Sequence, residues 1–325
     1  MAEFSLIERY CQNVGTSHSL TQIGVGDDAA VVRIPRGKEL VISVDTMVEA
    51  VHFFSNTDPK LIAHKLVAVN LSDMAAMGAQ PKWATLALTI PAVDDTWLSA
   101  FSSSLNNIAK AYQLQLIGGD TTQGPLTLSM QIMGLVDQGT ALTRSKSSAG
   151  DDVFVSGCIG NAGLALAALD GRVAVADNIL AELRLSLDTP TPQVALGLSL
   201  SGLASACIDV SDGLLADLGH IATSSKVDIQ LDVDKIPLSK RFLQIYPGNQ
   251  GLDLALTGGD DYQLAFTAQP THRDRLSQIA NKLGVRISRI GRVIKAQEPK
   301  QARLDLLYHA EPYALKRNTG FQHFS

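Results

Sequence analysis

The chain has 325 residues, 46% hydrophobic and 18% charged, with a formal charge of −5 at neutral pH. That length points to two domains, and the composition excludes a disordered or low-complexity protein. The acidic balance, without a basic stripe, excludes a nucleic-acid partner; no long uncharged apolar run occurs and Glu3 and Glu8 interrupt the N-terminal segment, so a membrane partner is excluded and a cytoplasmic protein is expected.

Phe4, Ile7, Tyr10, Cys11 and Val14 recur at helical spacing and predict a short first helix. Strands are expected over 29–34 and 40–44, separated by the turn Pro35-Arg36-Gly37-Lys38. Asp58, with Pro59 at the first helical position, opens a helix that Gly78 and Pro81 close. A strand over 84–90, a helix on the stripe Trp97, Phe101, Leu105, Ile108 and Tyr112, and strands over 114–117 and 126–136 complete a β-α-β-α-β-β order. This suits one sheet covered by two helices, of split-βαβ kind. Apolar periodicity stops over 143–150, which reads as a linker and places the domains at 1–142 and 143–325.

The second domain also reads as α/β. Strands near 153–155, 206–210, 228–232, 262–267 and 285–293 alternate with helices near 161–170, 175–187, 193–204, 213–225 and 271–283. Cys11, Cys158 and Cys207 are few and far apart, and read as free thiols of a reducing compartment.

Aspartates set in glycine- and serine-rich turns recur along the chain, in Gly26-Asp27-Asp28, Ser43-Val44-Asp45, Ser72-Asp73, Gly118-Gly119-Asp120, Asp209-Val210-Ser211-Asp212-Gly213 and Gly258-Gly259-Asp260-Asp261. Two carboxylates about 4 Å apart repel by roughly 4 kcal/mol at an effective dielectric of 20, so a fold that gathers several needs cations. Hard oxygen donors suit magnesium, which usually arrives with substrate phosphates. Asp73 follows Ile62, Leu66 and Val69 on one helix face, which points a carboxylate along an apolar stripe. Asp45 and Asp120 are expected at strand ends, where open α/β sheets bind ligands. Asp209, Ser211 and Asp212 lie across a strand-to-helix turn and can face one phosphate–metal group; an N-cap role for Asp212 is compatible with this.

A Walker A loop is absent, and Gly24-Val25-Gly26-Asp27-Asp28-Ala29 puts carboxylates where a pyrophosphate needs amides. Gly157-x-x-Gly160-x-x-Gly163 opens a helix whose amides could receive an anion, or simply makes a tight turn. The scattered histidines lack zinc spacing, and Ser211 has no base nearby in sequence.

Seven segments together resemble the thiamine-monophosphate kinase family: 24–32 (GVGDDAAVV), 42–53, 69–79, 116–122, 142–151, 208–214 and 256–266 (LTGGDDYQLAF). The resemblance runs in order over almost the whole chain. It implies membership of the aminoimidazole ribonucleotide synthetase superfamily, whose members bind ATP without a P-loop. It also implies a homodimer whose N-terminal strands meet in a central β-barrel, with a separate C-terminal α/β domain. Asp28, Ser43, Val44 through its backbone, Asp45, Asp73, Asp120, Asp209 and Asp212 would hold several magnesium ions. Gly119, Asp120, Arg144, Ser211 and Tyr112 would contact ATP, and His52, Asp260 and Phe321 thiamine monophosphate. Asp120, Arg144 and Asp212 would act at the chemical step. The family usually has Gly-Gly-Glu-Asp where this chain has Gly258-Gly259-Asp260-Asp261, so Asp260 is one methylene shorter and a bridging water can make up the reach. The implied reaction is phosphoryl transfer from ATP to thiamine monophosphate. Its rivals are another ATP-dependent member of the superfamily and a non-catalytic nucleotide- or metal-sensing module.

Overall fold

The computed structural model describes residues 6, 9–298 and 302–315, which fall into two compact units. Phe4 and Ile7 of the expected first helix, and Phe321, lie outside the described residues. The first unit spans Met1–Met74 and Ala79–Thr140, the second Ala75–Gly78 and Ala141–Ser325.

The first unit contains a hairpin of β1 (Thr21–Ile23) and β2 (Val31–Val32), then β3 (Lys38–Val48), α1 (Pro59–Ala76), β4 (Gln80–Ile90), α2 (Asp95–Ala111), β5 (Gln115–Gln123) and β6 (Thr127–Asp137). Its four-stranded sheet has the order β3-β6-β4-β5, with only β4 and β5 parallel. β6 is thus inserted between β3 and β4, the split arrangement. No closed barrel is formed among the described residues, so the barrel expectation concerns more than this sheet. Asp58 Oδ1 accepts the Lys60 amide at 2.9 Å and starts α1 as the sequence suggests. Ile62, Leu66, Leu71 and Met74 of α1 are almost wholly buried. Even-numbered residues of β6 and β4, among them Leu128, Met130, Leu86 and Leu88, are buried on one face; Ile42 and Val44 of β3 are exposed on the other.

The second unit is built on a seven-stranded sheet of order β13-β12-β9-β11-β7-β10-β8 among the described residues. Its strands are β7 (Asp152–Ser156), β8 (Ala204–Asp209), β9 (Val227–Asp232), β10 (Leu264–Ala268), β11 (Ile287–Lys295), β12 (Leu304–Tyr308) and β13 (Glu311–Pro312). Helices α3 (Asn161–Leu169), α4 (Asp177–Asp188), α5 (Val194–Leu200), α6 (Leu214–Ser225), α7 (Lys240–Ile245), α8 (Leu252–Thr257) and α9 (Arg273–Leu283) cover it. Val153, Val155, Ile208, Ile229 and Ile290 from the strands pack with Leu214, Leu218 and Ile221 of α6. α7 and α8 are too short to leave a periodic signal in the sequence.

The segment over 143–150 is not a loose linker. Thr143 O accepts the Cys207 amide at 3.0 Å, and Gly150 N donates to Val293 O at 3.0 Å. The Ser225 hydroxyl accepts the Ser147 amide at 3.1 Å and donates to Arg144 O at 2.8 Å. A polar, aperiodic stretch reads as a linker because sequence does not show backbone hydrogen bonds.

Candidate active site

In the first unit, alternation along β3 puts Ser43 and Asp45 on the helix-covered face and Val44 on the opposite one, 61% exposed. Ser43 Oγ donates to Asp73 Oδ2 at 2.5 Å, joining β3 to α1. Asp73 is half-buried, not fully buried as its helical stripe suggests. The structure therefore gathers Ser43 and Asp73, with Asp45 one pleat further along. β3 is an edge strand, so alternate backbone groups, the class to which a Val44 carbonyl ligand would belong, face away from β6.

Asp45 and Asp120 both depart from expectation, because β3 runs on to Val48 and β5 to Gln123, so each stands inside its strand, not at its end. Gly119 makes this possible in β5: a Cβ there would lie 2.0 Å from Leu86 O, so the close approach of β5 to β4 admits only glycine. The registers place Asp45, Met130, Leu86 and Gly119 abreast across the sheet, and Thr46, Ser129, Ala87 and Asp120 in the next row. Asp120 consequently projects on the open face, opposite to Asp45 and about 14 Å from it, three strand spacings away. Tyr112 closes α2, its phenol held above its usual range by burial. It lies at the Gln115 end of β5, about 17 Å of strand from Asp120. Asp28 is exposed in the hairpin loop, its amide donating to Asp27 Oδ1 at 2.9 Å. His52 sits in the turn after β3, where its Nδ1 accepts the Val48 amide at 3.0 Å; its own carbonyl accepts from the buried Lys65 ammonium at 3.3 Å.

In the second unit, two loops that the sequence holds about fifty residues apart are stitched together. Asp260 N donates to Ser211 O and Tyr262 N to Val210 O, each at 2.8 Å. Gly259 is required here, since a Cβ would lie 2.2 Å from Ser211 O; Gly213, at φ 120°, leaves no room for one against Thr257 O. Asp209 is buried at the end of β8, and Ser211 and Asp212 are half-buried. Asp260 and Tyr262 both take left-handed backbone, φ 65° and 47°, and the Tyr262 hydroxyl donates to Asp260 Oδ1 at 2.9 Å. Such strain persists only where surrounding structure over-determines it, and it collects at functional sites. Arg144 is exposed, on backbone pinned by Ser225.

Two carboxylates to which the sequence assigned no role, Asp261 and Asp217, hold these loops. Asp261 is fully buried and accepts the Gly160 amide on both oxygens, at 3.0 and 2.9 Å; burial raises its carboxyl well above the ordinary range. The anion that the Gly157–Gly163 turn can receive is thus one of the chain's own. Asp217, buried in the first turn of α6, accepts the amides of Ser211, Asp212 and Gly213 on Oδ2. Burial, with Asp209 and Asp212 adding negative charge, pushes it up to about 7. The second aspartate of Gly-Gly-Asp-Asp was a legible signal for Asp261, whereas a reach-back from five residues beyond Asp212 leaves none.

Among the described residues no three His, Cys, Asp or Glu side chains converge as a ready metal cage. The donors are hard oxygens offered in ones and twos, in keeping with magnesium, which retains waters and takes one or two carboxylates together with phosphates. No helix of the described residues is long and apolar enough to cross a membrane.

The N-terminal domain model of AIR synthase related protein matches residues 26–136 and the C-terminal domain model residues 148–301. Thiamine-monophosphate kinase of Salmonella typhimurium is 44% identical over 292 residues, 90% of each chain. The crystal structure of thiamine-monophosphate kinase from Stenotrophomonas maltophilia K279a aligns with a TM-score of 0.84 at 41% identity, covering 96% of this chain and 98% of that one. AaThiL complexed with AMPPCP and TMP aligns at 0.76 and 26% identity, over 90% and 89% of the two chains.

Proposed function

Because the chain belongs to the thiamine-monophosphate kinase family, we propose that it transfers the γ-phosphoryl group of ATP to the phosphate of thiamine monophosphate, giving thiamine diphosphate and ADP. The observation that carries this reading is the stitching of the Asp260 loop onto the Ser211 loop, which sets the residue assigned to the acceptor beside those assigned to metal and nucleotide.

The chemistry needs charge management more than proton transfer. A phosphate monoester has its second pKa near 6, so at neutral pH the acceptor oxygen is already an anionic nucleophile and no general base is needed. The P–O bond to ADP breaks as the bond from the acceptor oxygen forms, in line. When bound, magnesium ions would neutralise the two approaching polyanions, held by Asp28, Ser43, Val44, Asp45, Asp73, Asp120, Asp209 and Asp212. Arg144 supplies positive charge to the nucleotide, with Gly119, Ser211 and Tyr112 as its further contacts. His52, Asp260 and Phe321 position the acceptor. Asp120, Arg144 and Asp212 act nearest the transferred group.

The working form is a homodimer. Asp45 and Asp120 face opposite sides of one sheet, so a single sheet cannot give both to one cation. The exposed Leu40, Ile42 and Val44 on edge strand β3 offer an apolar face for the strands of a second copy. A barrel closed between copies follows from that pairing.

Phosphorus NMR with ATP, magnesium and, separately, thiamine, thiamine monophosphate and formylglycinamidine ribonucleotide tests the reading. ADP and thiamine diphosphate should appear in equal amounts with thiamine monophosphate alone. Turnover with either other acceptor, or binding of ATP without turnover, overturns it.

A further inference from the structure

The start of α6 is closed in an unusual way. A helix leaves its first amides without partners, and the usual remedy is a Ser, Thr, Asp or Asn side chain at the N-cap. Here the N-cap is Gly213, which contributes no side chain and cannot be replaced, because its φ of 120° and the nearby Thr257 O exclude a Cβ. The fourth residue of the helix, Asp217, instead turns back to the amide of the N-cap and to the two before it. Asp217 Oδ2 takes the amides of Ser211, Asp212 and Gly213 at 3.1, 3.2 and 3.2 Å. A capping box reaches back to one amide at the N-cap. Asp217 reaches past it to the two preceding residues, so the whole Ser211–Gly213 turn folds around one buried oxygen, 3% of the residue being exposed.

This has a directional effect on the site. With its amide turned in to Asp217, Ser211 presents its carbonyl to the Asp260 amide at 2.8 Å. One carboxylate thus sets both the turn that carries Asp209 and Asp212 and the attachment of the Asp260 loop. A third carboxylate beside Asp209 and Asp212 is electrostatically unfavourable, and a helix cap alone does not call for it.

We propose that Asp217 is a positioning residue of the phosphoryl transfer, holding the Asp209–Gly213 turn in its working conformation before nucleotide and cations arrive. The inference rests on the kinase reading for its link to turnover, and on geometry alone for its effect on the turn.

The test uses the full chain with Asp217→Ala and Asp217→Asn. Hydrogen exchange read on peptides covering 209–217 should accelerate by about 100-fold in the alanine variant, with the strands of the second unit unchanged; this follows if the amides lose their shared acceptor. Manganese binding, followed by electron paramagnetic resonance as a probe for the divalent cation, should weaken by about 10- to 100-fold, the size typical for partners that orient metal ligands. In the kinase assay kcat should fall by a similar factor, and KM for thiamine monophosphate should rise as well, because the Asp260 loop is attached to the same turn. Asparagine keeps an acceptor oxygen for the amides and should restore protection and most of the manganese affinity. Unchanged exchange over 209–217, or unchanged manganese affinity, in a folded alanine variant overturns the proposal. If the alanine variant does not fold, asparagine decides: manganese binding and kcat within about tenfold of the parent support positioning through the amides, and a larger loss overturns it. Should the parent chain fail to phosphorylate thiamine monophosphate, the functional reading falls while exchange and manganese binding still judge the role of Asp217.

Discussion

Asp152 shows what a single buried carboxylate costs when its partners reach solvent. It is 2% exposed in β7, and its oxygens accept from Arg273 at 2.6 and 2.8 Å and from Arg289 at 2.5 Å. Burial alone would raise its pKa, but the hydrogen bonds and charges of the two guanidinium groups outweigh that and hold it below the usual carboxylate range. A depressed folded pKa gives stability that is present above the unfolded value near 4 and lost as pH falls through the folded one. Asp152→Asn should therefore cost about 2 kcal/mol at neutral pH, less than the ~3–5 of a fully enclosed pair because both arginines are part-exposed. It should also flatten the loss of stability below about pH 4. Urea unfolding at pH 7 and pH 3 measures both; an equal cost at the two values removes the ion-pair account. At this scale the turns that carry Asp209, Asp212 and Asp260 were legible in the sequence, and the structure joins them through the Asp260 and Tyr262 amides. It was silent on Asp217 and Arg273, whose partners lie on other turns and strands.

At the scale of elements, position mattered more than residue type. The strand after α2 was expected over 114–117, because the glycines after Ile117 look like its end. Gly118 and Gly119 instead let β5 run on to Gln123, and that extension moves Asp120 from a sheet rim to its open face. Gly119→Ala places a methyl against the Leu86 carbonyl, and should cost about 3 kcal/mol or more by overpacking. The melting temperature should then fall by about 6–12 °C. Activity should drop with it, because Asp120 follows directly. An alanine variant that melts with the parent would show that β5 can withdraw from β4. The helix starting at Asp58 and Pro59 was legible because its cap chemistry is local; the clamp of Asp261 on Gly160 was not, since it joins residues 101 apart.

For the whole molecule, the alternation of strand and helix patterns led to the mixed α/β fold, and the order of strands and helices in the first unit could be read along the chain. What could not be read is which strand is left at an edge. Sheet order depends on pairings such as that of β3 with β6, which no local pattern encodes. That edge carries the dimer reading. Ile42, 52% exposed, sits at the middle of β3, so Ile42→Glu sets a charge into the proposed contact without disturbing the helix-covered face. Sedimentation should show the parent chain as a dimer and the variant as a monomer with activity at least about tenfold lower, as a lost buried contact of ~1.4 kcal/mol or more implies. A dimeric, fully active variant would place the interface elsewhere.

The pairing of β3 with β6 also has a timetable. Val48 pairs with Thr127 and Lys38 with Asp137, separations of 79 and 99 residues by subtraction. At a synthesis rate of roughly 5–20 residues per second, β3 emerges about 4–20 s before its partner exists. For that interval Leu40, Ile42 and Val44 sit on an extended segment open on both sides, a substrate for chaperones or for wrong pairing. Chains ending at residue 124 should accordingly be recovered as aggregates or chaperone complexes, and chains ending at 140, which include all of β6, in soluble form. Equal solubility of the two would mean that the nascent strand is sheltered by something other than its final neighbour.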